Sequence, residues 1–317
     1  FLSLISSGIG KGDEVIIPDI TFIATANAVI QTGAIPICVD VDSTLNISIN
    51  SIKKNLTKKT KAIIPVHMAG FPCNMVEIMK IAKKNNLKII EDCAHALGSH
   101  INKKHVGTFG NAGCFSFYPI KNLTTIEGGM IITNSMKIMK LSSSLRNHGL
   151  TKSLLQRDKN SKPWVYDIIE PGYNFRIDEI RSSLGISQLK RFKKTQTKRI
   201  EVAKYYHEKL KDLNGIEITN LEDCKKHAYH LYIIKIKKEF GMSRDKVHSE
   251  LNKKGIRTTV HYRPIHQFSF FRKKGLKNKD FPNSMSAYKE CLSLPLFPTI
   301  SRAQQLYVIK QLKKLQN

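Results

Sequence analysis

The chain has 317 residues, 41% of them hydrophobic and 24% charged, which is ordinary for a soluble globular protein and enough for one large domain or two. Its net charge of +27 is spread over many lysine pairs without a nucleic-acid motif, so we expect a solvated basic surface and no nucleic-acid partner. No apolar run approaches the roughly 20 residues of a membrane span, and no signal peptide is visible, so we expect no membrane partner and a cytoplasmic location.

The first half of the sequence alternates between strand-like and helix-like segments. This alternation is typical of an α/β fold with a largely parallel sheet covered by helices. Strands are predicted at 14–17, 35–39, 62–66, 88–91, 113–117 and 130–133, and helices at 25–31 and 75–85.

The second half begins with a polar, basic stretch from Thr151 to Glu170, which we interpret as a lid-like loop. A long helix is predicted over 180–213, a strand over 231–236, a helix over 245–254 and a C-terminal helix from Ser301. We therefore predict a large domain over 1–205 and a smaller α/β domain over 206–317.

Six cysteines are present, without a C-x-x-C pair or zinc-like spacing to histidine. The pattern favours reduced thiols and predicts neither a disulfide framework nor a metal site. Their positions are 38, 73, 93, 114, 224 and 291.

One lysine, Lys121, lies between the aromatic run Phe115–Tyr118 and the turn Glu127-Gly128-Gly129. Upstream, Asp92 ends a short apolar strand, where open α/β sheets place their ligands. A lysine amine can form a Schiff base with pyridoxal phosphate, and a carboxylate can keep the pyridine nitrogen protonated. Taken singly, the two would more often be a solvated loop lysine and a helix cap, but together they predict a pyridoxal phosphate site.

Several further segments occur in the order found in one enzyme family. The chain resembles the DegT/DnrJ/EryC1/StrS aminotransferases, which are sugar-nucleotide enzymes of pyridoxal phosphate fold type I. The segments that carry the resemblance are 8–16, 21–26, 33–42, 91–96, 115–122, 172–176, 261–266 and 292–296.

The resemblance implies a role for four residues around the cofactor. Lys121 would be the lysine that binds the cofactor aldehyde, and Asp92 would be the partner of the pyridinium nitrogen. His95 would lie near the phenolic oxygen, where many relatives have glutamine, and Ser116 would bind the phosphate.

Two more residues acquire roles by the same resemblance. Phe22 would stack on the pyridine ring, although core packing alone would also explain an aromatic residue there. Asn174 would reach the phosphate of the neighbouring subunit's cofactor, although it could also be a turn residue after Pro171-Gly172. The role of Asn174 implies a homodimer with shared active sites.

The implied reaction is a transamination in two half-reactions, with glutamate as the expected donor and a nucleotide-linked keto sugar as acceptor, in amino-sugar and surface polysaccharide biosynthesis. Lys121 would also move protons, which requires that burial and nearby positive charge lower its pKa. Weaker candidates for the substrate side are Arg146 to Gly149, Arg176 and the loop from His261 to His266.

Three alternatives stay open. A dehydratase of the same family would have histidine in place of Lys121, and the lysine argues against it. The others are a non-catalytic protein that binds pyridoxal phosphate and a basic nucleic-acid binder. Residue 1 is Phe, and the family's phosphate-binding turn is expected before it. Either the chain is a fragment of a longer protein, which we expect, or the turn was lost and the affinity for the cofactor would suffer.

Overall fold

The computed structural model describes residues 1–151, 162–218 and 227–316. Within these ranges, short apolar strands form a six-stranded sheet, a three-stranded sheet and a small hairpin. The strands are β1 (Glu14–Pro18), β2 (Ile35–Val39), β3 (Thr60–Ile63), β4 (Lys88–Asp92), β5 (His100–Ile101), β6 (Lys104–His105), β7 (Ala112–Ser116), β8 (Gly129–Ile132), β9 (Ile216–Ile218), β10 (Tyr232–Ile236) and β11 (Cys291–Leu294).

The helices cover the sheets and are often capped by the residue before their first turn. For example, the side chain of Asp178 accepts a hydrogen bond from the Arg181 backbone at the start of the longest helix, which satisfies one free N–H group there. The α-helices are α1 (Leu2–Ser6), α2 (Ala24–Ile30), α3 (Ile49–Lys54), α4 (Met75–Lys84), α5 (Met136–Leu145), α6 (Glu179–Leu210), α7 (Arg244–Lys253), α8 (Ser269–Arg272), α9 (Pro282–Glu290) and α10 (Arg302–Gln316).

The six-stranded sheet has the order β2-β1-β3-β4-β7-β8, and its strands are parallel except for the edge strand β8, which runs antiparallel to β7. This confirms the predicted fold class, a mostly parallel mixed sheet covered by helices. In the register between β4 and β7, Asp92 lies beside Cys114. The end of β4 and the segment that follows β7 therefore meet at one edge of the sheet, the usual ligand edge of such folds.

The three-stranded sheet has the order β11-β10-β9 and is antiparallel. Its core includes residues from the second half of α6, such as Val202 and Leu210. The proposed boundary at 205/206 falls inside α6, and the division into two domains stays a prediction. Ile265 and Phe271, from the second proposed domain, pack into the core around β1.

The predicted elements of the first half are present within about three residues of their expected ends. Helices α3, α5, α8 and α9 and strands β5, β6, β9 and β11 were not predicted. Part of the predicted lid, residues 152–161, and Cys224 lie outside the described residues. Among the helices of the described ranges, none combines the length and apolar character that a membrane crossing requires.

Candidate active site

Asp92 and Lys121 come together at the edge of the main sheet. Asp92 is the last residue of β4, and Lys121 lies in the turn after β7, where its backbone N–H donates to the carbonyl of Tyr118 at 3.0 Å. Burial lowers the pKa of the Lys121 amine from its ordinary value, and the charge of Asp92 opposes this by raising it. The predicted effect of burial on the pKa of Lys121 is therefore confirmed. The predicted effect of a nearby positive charge is wrong, because the neighbouring charge is the negative one of Asp92.

Two donors orient the Asp92 carboxylate. The hydroxyl of Thr25 donates to Oδ2 at 2.8 Å, and the backbone N–H of Ala94 donates to Oδ1 at 3.0 Å. Thr25 is itself buried and lies 3.0 Å from the hydroxyl oxygen of Thr21. Each carboxylate oxygen therefore has a fixed partner, which limits rotation of the side chain.

Behind Asp92, the buried carboxylate of Glu91 joins β4 to the loop before β7. Its Oε1 accepts from the backbone N–H groups of Phe109 and Gly110, each at 2.7 Å. Its Oε2 accepts from Gly107 at 2.7 Å and lies 3.2 Å from Nε2 of His67. Because the backbone N–H of Cys73 donates to Nδ1 of His67, the ring proton is on Nε2 and points to Glu91.

His95 lies in a cluster of aromatic side chains near Lys121. Its Nε2 is 3.2 Å from the hydroxyl oxygen of Tyr262, and its ring centroid is 4.3 Å from that of His230. Burial and the charge of Lys121 lower the pKa of His95 well below its ordinary value, so the imidazole is neutral. The ring of Phe22, which is 58% exposed, lies 5.9 Å from that of Tyr262.

Ser116 and Asn174 make no described contact with Lys121 or Asp92. Ser116 ends β7, and its hydroxyl oxygen accepts from the backbone N–H of Tyr118 at 3.4 Å. Asn174 is exposed and pairs with Asn147 in an isolated β-bridge.

The weaker candidates divide between two places. His261 and Tyr262 lie in the cluster near Lys121, where burial and that lysine's charge lower the pKa of His261 to about 4. Arg146 and Arg176 instead line a cavity of about 870 Å³ beside β8, together with Met130 and Phe175.

The residues near Lys121 fit pyridoxal phosphate by their chemistry. The lysine has a lowered pKa, the Asp92 carboxylate is fixed, and Nδ1 of His95 is buried without a hydrogen-bond partner in the described chain. A buried polar atom of this kind is usually satisfied, so Nδ1 is suited to a polar group of a ligand.

A second cluster, formed by His67, Glu91 and Cys93, brings possible metal ligands within 4.8 Å of one another. Both ring nitrogens of His67 and both carboxylate oxygens of Glu91 already have hydrogen-bond partners. We therefore interpret this cluster as structural support for β4.

Thr25, Glu91 and Tyr262 were not individually assigned roles from the sequence. Thr25 and Glu91 belong to segments that carry the family resemblance, but no sequence spacing predicts their hydrogen bonds. Only the fold brings Thr25 to Asp92, 67 positions away, and Tyr262 to His95, 167 positions away.

Comparison with known proteins identifies the family of the chain. The profile of the DegT/DnrJ/EryC1/StrS aminotransferase family matches residues 1–313. An uncharacterized protein of Methanocaldococcus jannaschii is 41% identical over 99% of the chain and 82% of its own length. The spore coat polysaccharide biosynthesis protein SpsC of Bacillus subtilis is 38% identical over 95% of the chain and 78% of its own length.

Solved structures similar to this chain are also aminotransferases. PseC of Helicobacter pylori, an aminotransferase of pseudoaminic acid biosynthesis, is 30% identical with a TM-score of 0.91 over 99% of this chain and 83% of its own. The pyridoxal phosphate form of Spr1654, a proposed sugar aminotransferase of Streptococcus pneumoniae, is 28% identical with a TM-score of 0.90 over 99% and 84%. The chain therefore belongs to the DegT/DnrJ/EryC1/StrS aminotransferase family and is a pyridoxal phosphate-dependent aminotransferase.

Proposed function

We propose that this enzyme transfers an amino group from glutamate to a nucleotide-linked keto sugar in amino-sugar and surface polysaccharide biosynthesis, in the cytoplasm. The observation that carries the proposal is the Lys121 amine, whose pKa burial lowers, beside the fixed carboxylate of Asp92. The likeness to PseC and to SpsC supports the sugar substrate and the biosynthetic setting. The dispersed positive charge of the chain favours an anionic substrate such as a nucleotide sugar.

The bound cofactor would supply an aldehyde for amine exchange and a ring that accepts electrons. Lys121 would hold this aldehyde and would move a proton with its Nζ, a role that its lowered pKa suits. The Asp92 carboxylate, which Thr25 and Ala94 keep oriented, would accept a hydrogen bond from the protonated ring nitrogen. By the family resemblance, His95 would bind the phenolic oxygen, Ser116 would bind the phosphate and Phe22 would stack on the ring.

We further propose that the enzyme is a homodimer in which Asn174 enters the neighbouring subunit's site. In α6 the buried residues begin at Gln196, and the described part of the chain buries no residue of its first half. There Ile180 is 84% exposed and Ile186 is 60% exposed, and Met130 on the edge strand β8 is 54% exposed. Apolar surface of this kind marks protein interfaces. Sedimentation of the purified enzyme as a monomer would contradict the dimer.

The test of the central proposal is the visible absorbance of the purified enzyme with pyridoxal phosphate. The wild type should show the absorption of lysine-bound cofactor, which Lys121→Ala should lack and which Lys310→Ala, a change of an exposed lysine on α10, should retain. Glutamate should bleach the wild-type absorption, and a keto-sugar nucleotide should restore it. Normal absorption in Lys121→Ala would exclude this lysine, and absorption that glutamate leaves unchanged would exclude the donor.

A further inference from the structure

Tyr262 reaches the active site from the second half of the chain and is anchored on both sides. Thr259 exchanges backbone hydrogen bonds with Ser293 of β11, at 2.8 and 3.2 Å. On the other side, Nδ1 of His266 lies 2.7 Å from Oδ2 of Asp19, a buried residue that directly follows β1. The phenol ring is thus held between Phe22 and His95.

The hydrogen bond between Tyr262 and His95 has a preferred direction. A neutral imidazole has one donor and one acceptor nitrogen. Burial raises the pKa of Tyr262, with a smaller effect of Asp92 in the same direction, so its hydroxyl keeps its proton. Within the described chain the partner of that hydroxyl is Nε2 of His95, at 3.2 Å. If Nε2 carried the ring proton, the proton of this half-buried phenol would have no acceptor in the described chain, an arrangement that proteins avoid.

We propose that Tyr262 is a positioning residue that fixes the tautomer of His95: its hydroxyl donates to Nε2 and leaves the ring proton on Nδ1, the atom without a partner. This inference rests on the proposed function for its consequence, since an Nδ1–H donor can bind an oxygen atom such as the cofactor's phenolic oxygen. It assigns Tyr262 to the cofactor side of the site, where the sequence had placed its loop on the substrate side.

The experiment is nitrogen-15 NMR of the histidine rings, which reports which nitrogen carries the proton. The His95 signal is assigned by its absence in His95→Gln. Spectra are compared for the wild type, Tyr262→Phe and a matched control, Tyr206→Phe. The control removes a buried hydroxyl that has no described partner and that lies in the core beside the three-stranded sheet. Each protein is measured before and after addition of pyridoxal phosphate.

In the wild type we expect the His95 proton on Nδ1, and in Tyr262→Phe a mixture of both tautomers. Tyr262→Phe should also bind pyridoxal phosphate roughly three- to tenfold more weakly, the effect of about one hydrogen bond, while Tyr206→Phe binds it normally. A proton on Nε2 in the wild type, or the same tautomer in Tyr262→Phe, would overturn the inference. The spectra without cofactor test whether Tyr262 controls the tautomer. The spectra with cofactor test the proposed function, because an Nδ1 signal that pyridoxal phosphate does not shift would contradict the contact of His95 with the cofactor.

Discussion

Thr25 donates a hydrogen bond of 2.8 Å from its hydroxyl to Oδ2 of Asp92. Thr25 belongs to the first turn of α2 and Asp92 to the end of β4, so this bond joins a helix to the strand that carries the proposed partner of the cofactor nitrogen. A carboxylate held at both oxygens is preorganised for binding, because less freedom is lost when the ligand arrives.

Replacement of Thr25 by valine should weaken cofactor binding. Thr25→Val keeps the shape of the side chain but leaves the Asp92 carboxylate with one described hydrogen bond, from the backbone N–H of Ala94. The affinity for pyridoxal phosphate should therefore fall roughly three- to tenfold. Thr25→Ser retains the hydroxyl and should bind almost as the wild type does. The measurement is a titration of the visible absorbance with cofactor, and equal affinities for the valine and serine variants would contradict the role of this bond.

Removal of the Glu91 charge should destabilise the enzyme. In Glu91→Gln the amide NH₂ faces either the donors of Gly107 and His67 or those of Phe109 and Gly110. In both orientations two buried N–H groups lose their acceptor. We expect a loss of about 3 kcal/mol in the free energy of unfolding, measured by urea denaturation. Glu77→Gln, which breaks an exposed ion pair with Lys80, should have little effect. Similar stabilities for the two variants would show that the Glu91 network is not important for stability.

Much of the main sheet follows from local pattern, whereas the support of the site does not. Strand β4 and the Lys121 turn are recognisable because short apolar or aromatic runs end at a carboxylate and at a lysine. In the sequence, nothing distinguishes Glu91 from other polar residues at strand ends. Its role depends on the pairing of β4 with β7, which brings the backbone N–H of Gly107 to its carboxylate. Tyr262 lies 167 positions from His95, and such a contact depends on packing that no local pattern encodes.

The pair between His266 and Asp19 should make stability depend on pH. Burial would lower the pKa of His266, but the hydrogen bond and charge of Asp19 outweigh it and raise the pKa. Since the folded-state pKa is raised, the contribution of the pair is complete below the unfolded pKa of about 6.5 and is lost as pH rises through the folded pKa. The stability difference between the wild type and His266→Gln should therefore shrink as pH rises above about 6.5.

His227 provides the control of opposite sign for this measurement. Burial lowers its pKa to about 3, so its contribution is present above the unfolded pKa and is lost as pH falls. In urea denaturation over a pH series, the difference between the wild type and His227→Gln should stay constant above about pH 6.5. A difference for His266→Gln that also stays constant there would show that His266 does not titrate with folding.

The proposed exchange of Asn174 between subunits can be tested by mixing two inactive variants. If Asn174 acts in the neighbouring site, a hybrid of Lys121→Ala and Asn174→Ala subunits has one site with both changes and one site with neither. With random exchange, half of the dimers are hybrids, so the mixture should recover about a quarter of the wild-type activity. The measurement is the transamination rate after unfolding and refolding the subunits together.

The matched control for this mixture combines Lys121→Ala with Asp92→Ala subunits. Both residues belong to the same chain's site, where the charge of Asp92 acts on Lys121, so each site of that hybrid carries one defect and no activity should return. If the Asn174→Ala mixture also stays inactive, although light scattering shows that dimers form, Asn174 acts within its own subunit and the sites are not shared. Recovery in the first mixture alone would instead require that the exposed segment around Asn174 crosses the interface.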